Sequence, residues 1–264
     1  MIRIGFLSAI TFLMFSVIAC KHVNQDPSWN KKIFSDPDFV KVDSLGSSIP
    51  ANYRNLIHAI GYLDSGCTVS HIGNGLVLTA AHCLSPNELF PPNPELCLPG
   101  RSIQFGIFKD RVKGPKATCI KLLYAEVNIT KDVALLYADI WPNDKIDVEL
   151  DNIPAPNAPI TLFGHPNGRP LEWSQNCSLI PVKYCGSKKT FGFMCDSQPG
   201  SSGSLLLSAD TANPKALGVL MGPSDEQDKN CATQITPRPI TPTPVPEIDV
   251  NAKIKFFLKK YGVL

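Results

Sequence analysis

The sequence predicts an all-β protein, two antiparallel six-stranded β-barrels followed by a C-terminal helix. Three observations carry that expectation. Between residues 53 and 236 the apolar residues fall in short runs of strand length separated by turn residues, no amphipathic helical stretch interrupts them, and helical spacing begins only past the proline-rich segment 237–246. The composition is that of an ordinary globular chain: 264 residues, 44% hydrophobic, 18% charged, net charge +2. No basic cluster marks it for nucleic acid.

The N-terminus carries Arg3 and then a nearly unbroken apolar run over 4–18, too short to span a bilayer comfortably as a mature helix, so residues 1–19 read as an export signal. Val17-Ile18-Ala19-Cys20 resembles a bacterial lipobox, the alternative being an ordinary signal with a chance cysteine. A lipidated Cys20 would anchor the chain durably in a membrane, because several acyl chains bury far more methylene than one. Lys21 resembles the outer-membrane sorting residue of Gram-negative lipoproteins, which implies an envelope location facing periplasm or exterior. Residues 20–52, polar and broken by Pro27, Pro37 and Pro50, read as the lipidated N-terminus and a tether.

The first barrel is expected within 53–150, with strands at 57–63, 68–72, 76–79, 102–108, 118–126 and 132–139. Asn74-Gly75 is a strong hairpin signal between the second and third. Four prolines in 88–100 make that stretch a surface loop, and 141–159, rich in Pro, Asn and Asp, is the crossover. The second barrel, 151–236, has strands at 160–164, 171–182, 190–195, 204–208, 216–222 and 231–236. In the last segment, 237–264, Ile248, Ile254, Phe257, Leu258 and Tyr261 recur at helical spacing. A helix packed on the second barrel is expected there; Lys253, Lys255, Lys259 and Lys260 leave a basic membrane-surface helix as the alternative.

The chemistry concentrates at Gly200-Ser201-Ser202-Gly203-Ser204. A serine that attacks a carbonyl needs an exposed hydroxyl on a tight turn, with small neighbours that let backbone amides approach the substrate. Ser202 is the candidate nucleophile, and the amides of Gly200 and Ser202 are the candidate oxyanion donors. A serine hydroxyl is nearly inert at neutral pH, so it needs an imidazole as general base and an acid to fix the imidazole's tautomer. His82, closing Leu78-Thr79-Ala80-Ala81-His82-Cys83, and Asp132, opening Asp132-Val133-Ala134-Leu135-Leu136, complete the set. His165, in a Gly-His-Pro turn with no acidic motif beside it, reads as structural. Gly-x-Ser-x-Gly spacing and a long following helix are both missing, which excludes an α/β-hydrolase elbow.

Thr-Ala-Ala-His-Cys, Asp-Val-Ala-Leu-Leu and Gly-Ser-Ser-Gly-Ser, in that order, resemble the chymotrypsin/trypsin clan of serine endopeptidases, and Gln198-Pro199 before the last motif resembles the bacterial glutamyl-endopeptidase-like branch. The resemblance covers roughly 53–235 and implies hydrolysis of protein or peptide substrates through an acyl-enzyme. It implies a Cys67–Cys83 disulfide, since sixteen residues separate the pair that ties the histidine loop in animal members. Asp196 and Ser197 stand where trypsin-like members carry the pocket carboxylate, which would select Arg or Lys. Met221 and Gly222 stand where the clan pairs with the substrate backbone, and Leu220 replaces the histidine of glutamate-specific relatives. Ser201 replaces the Asp that usually precedes the nucleophile, so activation through a new N-terminal amine is not expected. A catalytically silent protease-fold protein that binds partners at the envelope is the alternative of a different class.

Nine cysteines less Cys20 leave an even number in a chain with an export signal, consistent with an oxidising compartment. Beyond Cys67 and Cys83, the remaining six allow fifteen pairings, of which Cys97 with Cys119 is the preferred local one. No metal or other cofactor is expected, because no Cys-x-x-Cys occurs and the five histidines are scattered. A monomer is expected.

Overall fold

The computed structural model describes residues 38–84, 101–128, 131–152, 155–180, 190–209, 211–223, 230–234 and 250–264. The export signal, Cys20, Cys97, Cys185 and the prolines of 237–246 lie outside these residues.

Asn74 and Gly75 take positive φ angles of 45° and 77°, the pair that a two-residue turn needs to match the twist of its flanking strands. The turn joins β3 (Cys67–Gly73) to β4 (Leu76–Thr79). These strands close with β2 (Ile60–Leu63), β5 (Ser102–Phe105), β6 (Lys116–Asn128) and β7 (Lys131–Ala138) into a six-stranded barrel of order β2-β3-β4-β7-β6-β5. On β6 buried Ala117 and Cys119 alternate with exposed Thr118 and Ile120, as on a strand with one wet face. β3 and β4 are buried throughout, because their outer faces are covered by the second half of the chain and by the C-terminus.

The second half forms a seven-stranded antiparallel sheet. Its members are β1 (Val40–Lys41), β8 (Pro159–Gly164), β9 (Glu172–Ile180), β10 (Thr190–Phe193), β11 (Leu205–Ser208), β12 (Ala216–Pro223) and β13 (Asn230–Gln234). The order is β1-β9-β10-β13-β12-β11-β8, and β8 also pairs with β9. The expected strands are all present, with ends displaced by a few residues. The largest displacements, three residues each, are at the start of β2, where 57–59 forms a 3-10 turn, and at the end of β5, which stops at Phe105 and not at 108.

Two expectations are corrected. The tether read for 20–52 does not extend to its end: β1 pairs with β9, Val42 and Ile49 are buried, and just beyond it the Tyr53 ring packs tilted against both Phe163 and Trp173. The C-terminal helix α1 (Val250–Lys260) packs on the first barrel, not the second. Ile254 and Leu258, one helical turn apart, enter the core that contains Ile72 and Leu76. The Asn74 amide donates to the carbonyls of Tyr261 (2.8 Å) and Gly262 (3.1 Å) beyond the helix, and Tyr261 lies against Tyr137 of β7. The apolar face that could have met a membrane is thus used inside the protein.

Cys67 and Cys83 are joined (Cα–Cα 6.0 Å), and so are Cys177 and Cys195 (4.7 Å). Cys119 is disulfide-bonded too; its expected partner, Cys97, is outside the described residues.

Candidate active site

β4 delivers the chain to a 3-10 turn, Ala81–Cys83, whose last residue the disulfide pins to the start of β3. That turn presents the His82 side chain, 39% exposed. Asp132, second in β7, is buried at 6% exposure and spends both carboxylate oxygens on His82. The His82 backbone N–H donates to Oδ1 at 2.9 Å, and the ring Nδ1 hydrogen-bonds Oδ2. An ionised carboxylate only accepts, so Nδ1 must carry the ring proton. Nε2 is left with its lone pair, the atom a general base needs.

Past Cys195 the chain makes two tight turns, with Ser201 N–H donating to Gln198 O (2.9 Å) and Ser204 N–H to Ser201 O (3.0 Å). Gly200 and Gly203 take φ of 93° and 84°. Ser202 sits half-buried between them. Its carbonyl accepts the Thr68 N–H of the first barrel (2.9 Å), while Gly203 N–H donates to Leu220 O (3.0 Å) and Leu220 N–H to Ser204 O (2.9 Å). A Cβ on Gly203 would stand 3.0 Å from Ala80 N, two residues before His82. The turn therefore lies on the seam between the two halves, beside the histidine turn. Of its amides, those of Ser201, Gly203 and Ser204 are bonded; those of Gly200 and Ser202 have no acceptor among the described residues.

Asp132 and His82 are thus joined directly, while the Ser202 turn is held through its backbone against Thr68 and the strand end before His82. The polar neighbour of His82 Nε2 among the described residues is the Cys83 sulfur, 3.7 Å away. No hydrogen bond joins the Ser202 hydroxyl to the imidazole among the described residues. Such bonds are commonly long in a free enzyme and tighten with substrate.

Asp196 and Ser197 are buried. Asp196 is held in a ring: its N–H donates to Ser174 Oγ (3.0 Å), Ser174 Oγ donates to Asp38 Oδ1 (3.1 Å), and Asp38 N–H donates to Asp196 Oδ2 (3.0 Å). Burial first, and then the Asp196 charge, push the Asp38 carboxyl up to about 6. Met221 and Gly222 are half-buried on β12, next to the Leu220 that pairs with the nucleophile turn. Asp38 was not anticipated from sequence.

His165 is fully buried, its Nδ1–H donating to Arg169 O (3.0 Å), and desolvation holds its pKa down at about 4. This neutral imidazole serves structure, as expected. His71 is likewise held low by burial, with Nδ1–H donating to Asp144 O (2.7 Å) and Nε2 accepting Gly75 N–H (3.3 Å). Both rings stay neutral in the fold while the unfolded chain takes up protons below about 6.5. Stability is therefore fully present above that pH and is lost as pH falls. His165 alone accounts for about 3 kcal/mol by pH 4. Asp38 works in the opposite sense, since its raised pKa favours the fold as pH falls from about 6 towards 3.8. Urea denaturation between pH 7 and 4 is expected to show falling stability, and Asp38→Asn a steeper fall.

Cys67, His82 and Cys83 are the one close group of three potential metal ligands among the described residues. The two sulfurs are bonded to each other, so no thiolate is left for a metal.

The fold is similar to that of solved proteases. A Glu endopeptidase structure matches with a TM-score of 0.60 at 16% identity, over 87% of this chain and 99% of that one. The Rv3671c protease of M. tuberculosis, in an inactive form, matches with a TM-score of 0.50 at 16% identity, over 80% of this chain and 93% of that one. No protein-family model and no curated protein matches the sequence. The likeness establishes the fold.

Proposed function

We propose that the chain is an exported serine endopeptidase with His82, Asp132 and Ser202 as its catalytic residues. The observation that carries this is the grip of buried Asp132 on both the backbone and the ring of His82, which leaves the Nε2 lone pair outside that grip. In the reaction His82 Nε2 takes the Ser202 hydroxyl proton as Oγ bonds to the peptide carbonyl carbon. The carbonyl electron pair moves onto oxygen, and the N–H groups of Gly200 and Ser202 receive that oxyanion. As the C–N bond breaks, the proton passes from Nε2 to the leaving amine. Water, deprotonated by the same nitrogen, then attacks the acyl-enzyme, and Ser202 departs with the proton.

The second sheet is read as a second barrel, supported by the pairing of β8 with both β11 and β9. For specificity, a buried Asp196 favours cleavage after Arg or Lys, with Met221 and Gly222 along the substrate backbone. An incoming cation would share the Asp196 carboxylate with the Asp38 amide. Export is supported by the disulfides, and the lipid anchor at Cys20 by the sequence alone.

A fluorophosphonate reagent tests the activity. Covalent modification of the wild type, absent in Ser202→Ala, is the expected result. An unmodified wild type would instead favour a silent protease-fold binding protein. Profiling of cut sites on a peptide library is expected to show Arg or Lys before the cut.

A further inference from the structure

Among the described residues, two amides of the nucleophile turn have no acceptor, and what aims them lies largely outside the turn. A trans peptide unit is planar, with its C=O and N–H pointing opposite ways, so holding the oxygen fixes the direction of the hydrogen. Ser202 N–H is set from within, because Ser201 O is held by Ser204 N–H (3.0 Å). Gly200 N–H shares its unit with Pro199 O, and that oxygen accepts the Asn167 N–H from the turn after β8. On the other side, Gly200 O accepts the Thr68 hydroxyl at 2.8 Å. Gly200 is therefore held at both of its peptide units by residues distant in sequence.

Thr68 joins these supports. The same Oγ1 that donates to Gly200 O accepts the His165 N–H at 3.0 Å, which ties down the turn bearing Asn167. Its own N–H holds Ser202 O at 2.9 Å, and its own carbonyl is fixed by the Thr79 hydroxyl at 2.8 Å. The side chain is fully buried, so no water competes for the hydroxyl. Gly200, free of a Cβ and at φ 93°, has the backbone freedom to turn its amides elsewhere if released.

We propose that Thr68 is a positioning residue whose hydroxyl, bridging Gly200 O and His165 N–H, keeps the Gly200 amide aimed at the oxyanion. This rests on the peptidase reading given above. Removing one oxyanion donor costs about 10²–10³ in turnover, and a donor that is misaimed for much of the time costs less.

The test measures acylation by a fluorophosphonate, whose phosphoryl oxygen takes the oxyanion's place. Thr68→Val keeps the shape and deletes the hydroxyl. The maximal acylation rate is expected to fall about 10- to 100-fold, with the half-saturating reagent concentration and the pH midpoint of acylation unchanged. Thr68→Ser is expected to stay within about threefold of wild type. Melting temperatures identify a variant that does not fold, and Thr68→Ala then carries the same expectation as Thr68→Val. Wild-type rates in the hydroxyl-free variants, or equal losses in Thr68→Ser, would overturn the proposal alone. A wild type that the reagent never modifies would overturn the peptidase reading, and this inference with it.

Discussion

Asp132→Asn will leave the protein folded and lower peptide hydrolysis by about 10⁴-fold. The wild-type carboxylate offers one acceptor oxygen to the His82 backbone N–H and another to the ring. An asparagine has a single acceptor oxygen and an NH₂ that donates. If the oxygen keeps the backbone amide, the NH₂ faces Nδ1, and the ring proton must move to Nε2. That nitrogen can then no longer take the Ser202 proton. Substrate binding is untouched, so the loss should fall on kcat and not on KM. Rates on a cleaved peptide, with circular dichroism as the check on folding, decide it; a loss under tenfold would remove Asp132 from the role given to it.

Gly203→Ala is expected to be the most destabilising small substitution at the site. The position has φ 84°, and a Cβ there would lie 2.2 Å from Thr68 O and 2.3 Å from Thr79 Oγ1. Neither neighbour is a flexible side-chain end. The Thr68 carbonyl belongs to β3 inside a closed barrel, and the Thr79 hydroxyl is bonded to that same carbonyl. Left-handed backbone strain and forced overpacking each cost about 1–3 kcal/mol, so a loss of roughly 2–6 kcal/mol is expected in chemical denaturation. An alanine variant as stable as wild type would mean that the turn does not press against the first barrel.

His82 and Asp132 were legible in the sequence because each closes or opens an apolar strand in a short motif, and Asn74-Gly75 because a two-residue turn selects its residues locally. Thr68 was not legible. It is one polar residue in a strand, and its hydroxyl partners are 132 and 97 residues away. Asp38 follows a proline in a polar stretch, and nothing local marks its pairing with a carboxylate 158 residues on. The helix was legible as amphipathic, but periodicity tells which face is covered and not what covers it. The element covering α1 is a hairpin whose Asn74 reaches a carbonyl 187 residues away.

The two ends of the described chain are exchanged between its halves. β1, which precedes the first barrel in sequence, is stitched to the sheet of the second, and α1, which follows the second sheet, closes over the first. Each half is completed by a segment lying beyond the other's boundary, so neither could be cut out whole. Opening one would strip a cover from its neighbour, and the seam between the two halves is thereby tied to the integrity of both β1 and α1.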